Sequence, residues 1–241
     1  MRADQFLVTH RYAVSRSQAA AWIKAGHVTA NDQIICKASQ TVAPNAVIRI
    51  APAAQTWVSR SAEKLIAALA HFNLPVMEKT VIDIGASTGG FTQVLIKHGA
   101  KKVYAVDVGH GQMADTLRDD PRVVMMEKTN ARDITSFTIT ESVDGIVCDV
   151  SFISITLALP PAMALVQPGG WAIALIKPQF EVGKGKVGKG GIVRDQALHS
   201  ETCDKIDAWF TTKGWRVLGI MPSPITGSDG NQEFLIAAQK P

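Results

Sequence analysis

The stretch from Val81 to Thr92 constrains the chain more than any other. The apolar run Val81-Ile82-Asp83-Ile84 is followed by Gly85-Ala86-Ser87-Thr88-Gly89-Gly90 and then Phe91-Thr92. This order reads as a strand, a glycine-rich turn and a helix start. It is expected to bring backbone N–H groups and a positive helix end to a ligand crevice. The loop is not G-x-G-x-x-G, and it lacks the Gly-Lys-Ser/Thr ending of a phosphate loop, so triphosphate chemistry has no lysine to use there. Asp107 follows 22 residues after Gly85, a spacing suited to accepting hydrogen bonds from a ribose diol. The missing dinucleotide fingerprint favours a ligand without a pyrophosphate. An acid at Asp83 suits a cationic amino-acid tail, so S-adenosylmethionine fits better than NAD.

Around this unit, apolar strand candidates alternate with helical stretches. The strands are expected at residues 81–84, 103–108, 123–126, 145–148 and 171–176, with two more at 215–220 and 232–238. Helices are expected from about Ser61 to Phe72, with Lys64 on the side away from Leu65 and Leu69, and over 91–98, 157–165 and 195–211. Such alternation predicts a mostly parallel α/β sheet covered on both faces. A chain of 241 residues with 46% hydrophobic and 19% charged residues can bury such a core and keep a small extra module.

The net charge of +4 is unevenly spread. Up to residue 60, seven bases (Arg2, Arg11, Arg16, Lys24, Lys37, Arg49, Arg60) face two acids, Asp4 and Asp32, whereas the remainder holds 18 bases and 19 acids. This is the pattern of a basic recognition module on a nearly neutral body. The module reads as a helix begun near Ser15, with Ala19, Trp22 and Ile23 on its apolar side and Gly26 at its end, then short hairpins. A linker is expected over residues 51–56, which divides the chain into residues 1–54 and 55–241. Cys36, Cys148 and Cys203 form no C-x-x-C pair, and the six histidines are scattered, so disulfide and metal frameworks are not expected. No apolar run is long enough for a membrane span, no G-x-S-x-G elbow appears, and a reducing cytoplasm is the simplest home.

Three strand candidates end in charged residues: Asp107, Asp149 and Lys177. If the last strand runs antiparallel to the others, Asn231 and Glu233 join them at the carboxyl edge, and Lys64 can reach the group as well. Two lysines and two carboxylates in one cleft would form a coupled network able to orient a weak nucleophile. The segment 182–194, with Lys184, Lys186, Lys189 and Arg194 among five glycines, reads as a basic loop suited to tracking phosphates.

Several motifs together resemble the TlyA (hemolysin A) family of bacterial ribosomal RNA methyltransferases. They are Asp83-Ile-Gly-Ala-Ser-Thr-Gly-Gly-Phe-Thr92, Val103-Tyr-Ala-Val-Asp-Val-Gly109, Thr129-Asn-Ala-Arg132, Asp149-Val-Ser-Phe-Ile-Ser154, Leu175-Ile-Lys-Pro-Gln-Phe-Glu181, Val187-Gly-Lys-Gly-Gly191, Gly230-Asn-Gln-Glu-Phe234 and the stretch from Ser15-Arg-Ser17 to Gly26. The resemblance implies a Rossmann-like seven-stranded methyltransferase sheet of FtsJ type behind a small α+β S4-type RNA-binding domain. It implies a catalytic set of Lys64, Asp149, Lys177 and Glu233, and transfer of a methyl group from S-adenosylmethionine to a cytidine 2′-hydroxyl of small- or large-subunit ribosomal RNA, with no metal. The cofactor is then expected at Asp83, Gly85, Ala86, Ser87, Thr88, Gly89, Gly90, Phe91, Asp107, Asn130, Ala131 and Asp149. RNA is expected at Arg2, Arg11, Arg16, Lys24, Lys184, Lys186, Lys189 and Arg194. The implied partners are ribosomal RNA or ribosomal subunits, with neither a membrane nor an obligate protein partner. The chain departs from the family in Ser59-Arg60-Ser61-Ala62-Glu63-Lys64, where Ser-Arg-Gly-Gly is usual, and Glu63 is expected to crowd the approach to Lys64. Two other classes stay open: a non-enzymatic RNA-binding or ribosome-assembly factor, and a membrane-lytic protein.

Overall fold

A computed structural model describes the chain apart from Arg11, Val14, Ser15, residues 52–56, Lys184 and Ser228. It divides into two compact units, Met1–Arg60 and Ser61–Pro241. The linker expected over 51–56 falls, from residue 52 onward, outside the described residues.

In the first unit, helices α1 (Ala3–Thr9) and α2 (Arg16–Lys24) pack on each other and precede β1 (Val28–Ala30), β2 (Gln33–Ile34) and β3 (Ile48–Ile50). The strands form an antiparallel sheet in the order β2-β1-β3. Asn31 and Asp32 have φ of 51° and 65°, the left-handed pair that a tight hairpin between β1 and β2 needs. Phe6, Leu7, Ala19, Ile23, Val28, Ile35, Val42 and Ile48 form the core of this unit.

The second unit begins with α3 (Ala62–Phe72), β4 (Thr80–Ile84), α4 (Gly90–Lys97), β5 (Lys102–Val106), α5 (Asp115–Arg118), β6 (Val123–Met126) and β7 (Val143–Cys148). It continues with α6 (Ile155–Ala158), α7 (Pro160–Leu165), β8 (Val166–Ile176), α8 (Pro178–Glu181), α9 (Gln196–Thr212), β9 (Arg216–Pro222) and β10 (Phe234–Gln239). The sheet has seven strands in the order β6-β5-β4-β7-β8-β10-β9. β10 runs antiparallel to both neighbours, and its first residue, Phe234, pairs with Ile176 at the end of β8. Glu233 therefore sits at the carboxyl edge of the parallel strands, as the sequence required of an antiparallel last strand.

Alternation along the strands sends Ile82, Ile84, Ile146, Cys148 and Ile236 into a core shared with Leu159, Met163, Ile206 and Phe210. The neighbours of opposite parity, Val81 and Asp83, face the other way, and Asp83 meets Thr92 of α4. The strand order reverses between β5 and β7 on either side of β4, which opens a crevice at their carboxyl ends. No helix among the described residues is long and apolar enough to cross a membrane.

Candidate active site

A cavity of about 530 Å³ opens at the reversal point, between the ends of β4, β5 and β7, within the roughly 300–1,000 Å³ usual for small-ligand sites. Of the expected cofactor residues, Gly85, Ser87, Asp107, Asn130, Ala131 and Asp149 line it. Gly85 has φ +82°, and a Cβ there would lie 2.5 Å from the Asp149 carbonyl oxygen. Only glycine lets the ends of β4 and β7 approach this closely.

The glycine loop differs from expectation in how its amides are used. The N–H groups of Gly85 and Ala86 donate to the Val106 carbonyl (2.9 and 3.2 Å), and that of Gly89 to the Ala86 carbonyl (2.8 Å). That of Ser87 donates to Asp107 Oδ2 at 2.8 Å. These donors are spent inside the protein and are not offered to a ligand. What they build is a fixed Asp107 carboxylate, whose second oxygen accepts from the Gly109 N–H at 2.7 Å.

Asp83, Ala86, Thr88, Gly89, Gly90 and Phe91 are not in the cavity wall. Phe91 and Ala86 are core residues, and Asp83 is fully buried. Asp83 Oδ2 accepts from the Thr92 hydroxyl at 2.6 Å, while Oδ1 has no partner among the described residues. Burial pushes the Asp83 carboxyl up to about 7, and the Asp149 and Asp107 charges add to this against the Thr92 hydrogen bond. The strand parity that faces α4 removes Asp83 from the cavity.

The charged group at the sheet edge assembles as a chain of contacts. Lys177 Nζ lies 2.6 Å from Asp149 Oδ1 and donates to Ser151 Oγ at 3.0 Å. Lys64 Nζ lies 2.5 Å from Glu233 Oε2 and 3.9 Å from Asp149 Oδ2. Lys64, Lys177 and Glu233 are only 6%, 8% and 2% exposed. Lys64 and its neighbour Leu65 on α3 are both buried. Pairing across the sheet edge offsets the desolvation of the Lys64 ammonium group. Glu63 is exposed. Asp149 belongs to both parts of the site, lining the cavity while contacting both lysines.

Three contributors had no role in the sequence reading. Phe152 stands in the cavity wall at 91% exposure with φ 65°, its ring 5.3 Å from that of Phe180. An aromatic so exposed, in a backbone region that costs a non-glycine residue energy, suits stacking against a flat partner. Buried Glu181 accepts from Ser154 Oγ at 2.6 Å and from the Ile155 N–H at 2.8 Å, which ties α8 to the start of α6. Burial raises its carboxyl above the ordinary value. Gln112 also lines the cavity and accepts from Ser87 Oγ at 3.2 Å, and no sequence signal marked it.

The expected RNA contacts are scattered over both units. Arg2 and Arg16 are not free cations: Asp4 receives Arg2 Nε at 3.0 Å and Arg16 Nη2 at 2.7 Å. The hydrogen bond from Arg2, with the Arg16 pairing, holds the Asp4 carboxyl well below its ordinary value. Both guanidinium groups stay about half exposed, so Asp4 fixes them side by side without covering them. Lys24, Lys189 and Arg194 are exposed. Lys186 is paired with Glu201 at 2.9 Å, and Arg11 and Lys184 lie outside the described residues. No cluster of potential metal ligands occurs among the described residues.

The model of the FtsJ-like methyltransferase family matches residues 57–240, and that of the S4 domain matches residues 1–48. The chain is 42% identical to the "16S/23S rRNA (cytidine-2'-O)-methyltransferase TlyA" of Mycobacterium tuberculosis, over 98% of this chain and 88% of that one. It is 41% identical to "Hemolysin A" of Brachyspira hyodysenteriae, over 98% of both. A solved structure from Streptococcus thermophilus, provisionally described as a hemolysin, superposes with a TM-score of 0.80 at 39% identity over 100% of this chain and 88% of its own. An S-adenosylmethionine-dependent methyltransferase from Mesorhizobium loti shares the fold of the larger unit, with a TM-score of 0.55 at 15% identity over 75% of this chain and 99% of its own.

Proposed function

Since the chain belongs to the TlyA family of FtsJ-like methyltransferases with an S4 domain, we propose that it transfers a methyl group from S-adenosylmethionine to a cytidine 2′-hydroxyl of ribosomal RNA. The observation that carries this reading is the double placement of Asp149, in the wall of the cavity and in contact with both buried lysines. It joins a small-ligand cavity to a set of groups able to act on a hydroxyl.

The cavity suits this cofactor. Two carboxylates, Asp107 and Asp149, stand in its wall, and no lysine or arginine does among the described residues. That charge balance repels a pyrophosphate and attracts a cation. The Asp107 carboxylate, fixed by two backbone amides, would accept the ribose diol, and Val106, Val108, Ala131 and Ile153 would give the adenine apolar surroundings. When bound, S-adenosylmethionine supplies an electrophilic methyl group on a positively charged sulfur.

The residues of the chain would then handle the attacking oxygen. An ammonium group has three N–H donors. Asp149 and Ser151 engage two on Lys177, which leaves a third for an incoming hydroxyl. As an ammonium, Lys177 would donate this third N–H to the 2′-oxygen and hold the negative charge that develops there as the hydroxyl proton passes to water. Asp149 would aim Lys177, and Lys64, fixed by Glu233, would hold the nucleotide. The exposed ring of Phe152 would stack on a base, the usual way a single-stranded nucleotide is gripped. The S4 unit would supply affinity through phosphate contacts.

Incubation of the full chain with labelled S-adenosylmethionine and unmethylated ribosomal subunits, followed by nucleotide mapping, tests this reading. Label at a cytidine 2′-oxygen is expected. RNA binding without any label would instead indicate a non-catalytic RNA-binding protein.

A further inference from the structure

The motif Gly230-Asn231-Gln232-Glu233-Phe234 contributes only Glu233 to the chemistry above, yet Asn231 is the more deeply buried of the two, at 1% exposure. We propose that Asn231 is a positioning residue that joins the basic segment ending at Arg194 to the Lys64–Glu233 pair: its side-chain amide sets the grip on the RNA backbone, and its main chain, two residues before Glu233, sets the alignment of the ion network. The proposal rests on the RNA methyltransferase reading and deepens it.

The geometry is specific. Asn231 Nδ2 donates to the Gly191 carbonyl at 3.0 Å, and Asn231 Oδ1 accepts from the Val193 N–H at 3.0 Å. The Asn231 carbonyl accepts from the Gly227 N–H at 2.9 Å. Both ends of the side-chain amide are thus committed to one short stretch of backbone, the end of the segment that carries Lys186 and Lys189. His199 Nε2 lies 2.9 Å from the Val193 carbonyl, and its ring packs on Phe234 with centroids 5.6 Å apart, a second tie between the same stretch and β10. The other end of the segment leaves α8 directly after Glu181, which is itself held to Ser154 and Ile155. The lysines therefore lie between two buried polar anchors, each attached to an element that carries part of the site.

The link to the ion network runs through the turn. A Cβ on Gly227 would lie 2.6 Å from Glu233 Oε1, so the residue bonded to the Asn231 carbonyl also packs against the carboxylate that holds Lys64. Removing the Asn231 side-chain amide would leave the Gly191 carbonyl and the Val193 N–H without their partners, release Gly191–Val193, and let the main chain at 231, whose carbonyl holds Gly227 beside Glu233, shift. Asn231 touches neither cavity nor reacting atoms. It acts through the segment and through Glu233.

The test is a double-mutant cycle in the full chain, read as methyl transfer to unmethylated ribosomal subunits. Lys186→Ala/Lys189→Ala should raise KM for the subunits about tenfold with kcat little changed. Asn231→Ala should lower kcat about 10- to 100-fold and raise KM, with S-adenosylmethionine affinity retained. The triple variant should match Asn231→Ala, because lysines on a released segment no longer contribute. His199→Ala releases the same stretch from α9 without entering the turn, and should reproduce the loss of the lysine effect should Asn231→Ala fold poorly. Independent, multiplicative effects in the cycle, or an Asn231→Ala enzyme with unchanged kcat, would overturn the inference alone. An inactive wild-type chain would overturn the functional reading and this inference with it.

Discussion

Asp83 is a carboxylic acid held among apolar residues with one oxygen bonded and the other without a partner. Its carboxyl titrates at about 7 in the folded chain and near about 4 in an unfolded one. Between those values the folded state binds the extra proton, so the contribution of Asp83 to stability is complete below about pH 4 and is lost as pH rises through about 7. Asp83→Asn should remove that share of the pH dependence. The variant and the wild type should therefore diverge in favour of the variant between about pH 4 and 7 in urea unfolding, and parallel curves would contradict the buried protonated acid. The sequence suggested Asp83 for the cationic tail of the cofactor, but could not tell that strand parity turns it toward Thr92. Asp107, Asp149 and Lys177 were legible as charges directly after apolar strands, which need partners, and Glu233 through the antiparallel course expected of the last strand. Phe152 was not, since an aromatic in a loop gives no sign of whether it is exposed.

Among the elements, α6 and α8 are too short to persist by propensity alone, and Glu181 holds them together. Glu181→Ala should cost about 1–3 kcal/mol by leaving the Ser154 and Ile155 donors unpaired, with Glu181→Gln recovering part of it because its amide oxygen can still accept. Thermal unfolding of both variants checks this, and equal melting temperatures for wild type and Glu181→Ala would refute the tie. The strands of the sheet were legible because burial on both faces leaves long apolar runs. Three helices were not. α1 buries Ala3, Phe6 and Leu7, a helical spacing in too short a stretch to be distinctive, and α5 and α8 each span four residues. The single helix expected over 157–165 is two, separated at Leu159 before Pro160-Pro161, as prolines lacking N–H groups favour. β8 begins at Val166 rather than 171, because Gln167-Pro168-Gly169-Gly170 reads as a turn yet continues the strand.

At the scale of the whole molecule, basic charge is concentrated before residue 61 and the cavity walled by Asp107 and Asp149 lies in the larger unit, which under the proposed function assigns the grip on RNA to the first and the chemistry to the second. Binding of ribosomal RNA should weaken log-linearly with salt, and Arg16→Gln/Lys24→Gln should reduce that slope by about 1–2. Asp4 keeps its Arg2 partner in that variant, and an unchanged slope measured by filter binding would remove these residues from the RNA contact. The central claim is that Lys177, aimed by Asp149, acts on the ribose hydroxyl. It is tested most directly by single-turnover methyl transfer to unmethylated ribosomal subunits, comparing the wild type with Lys177→Ala beside equilibrium binding of S-adenosylmethionine. The predicted result is undiminished cofactor binding with transfer slowed by about 100-fold or more. Transfer by Lys177→Ala at the wild-type rate would contradict it.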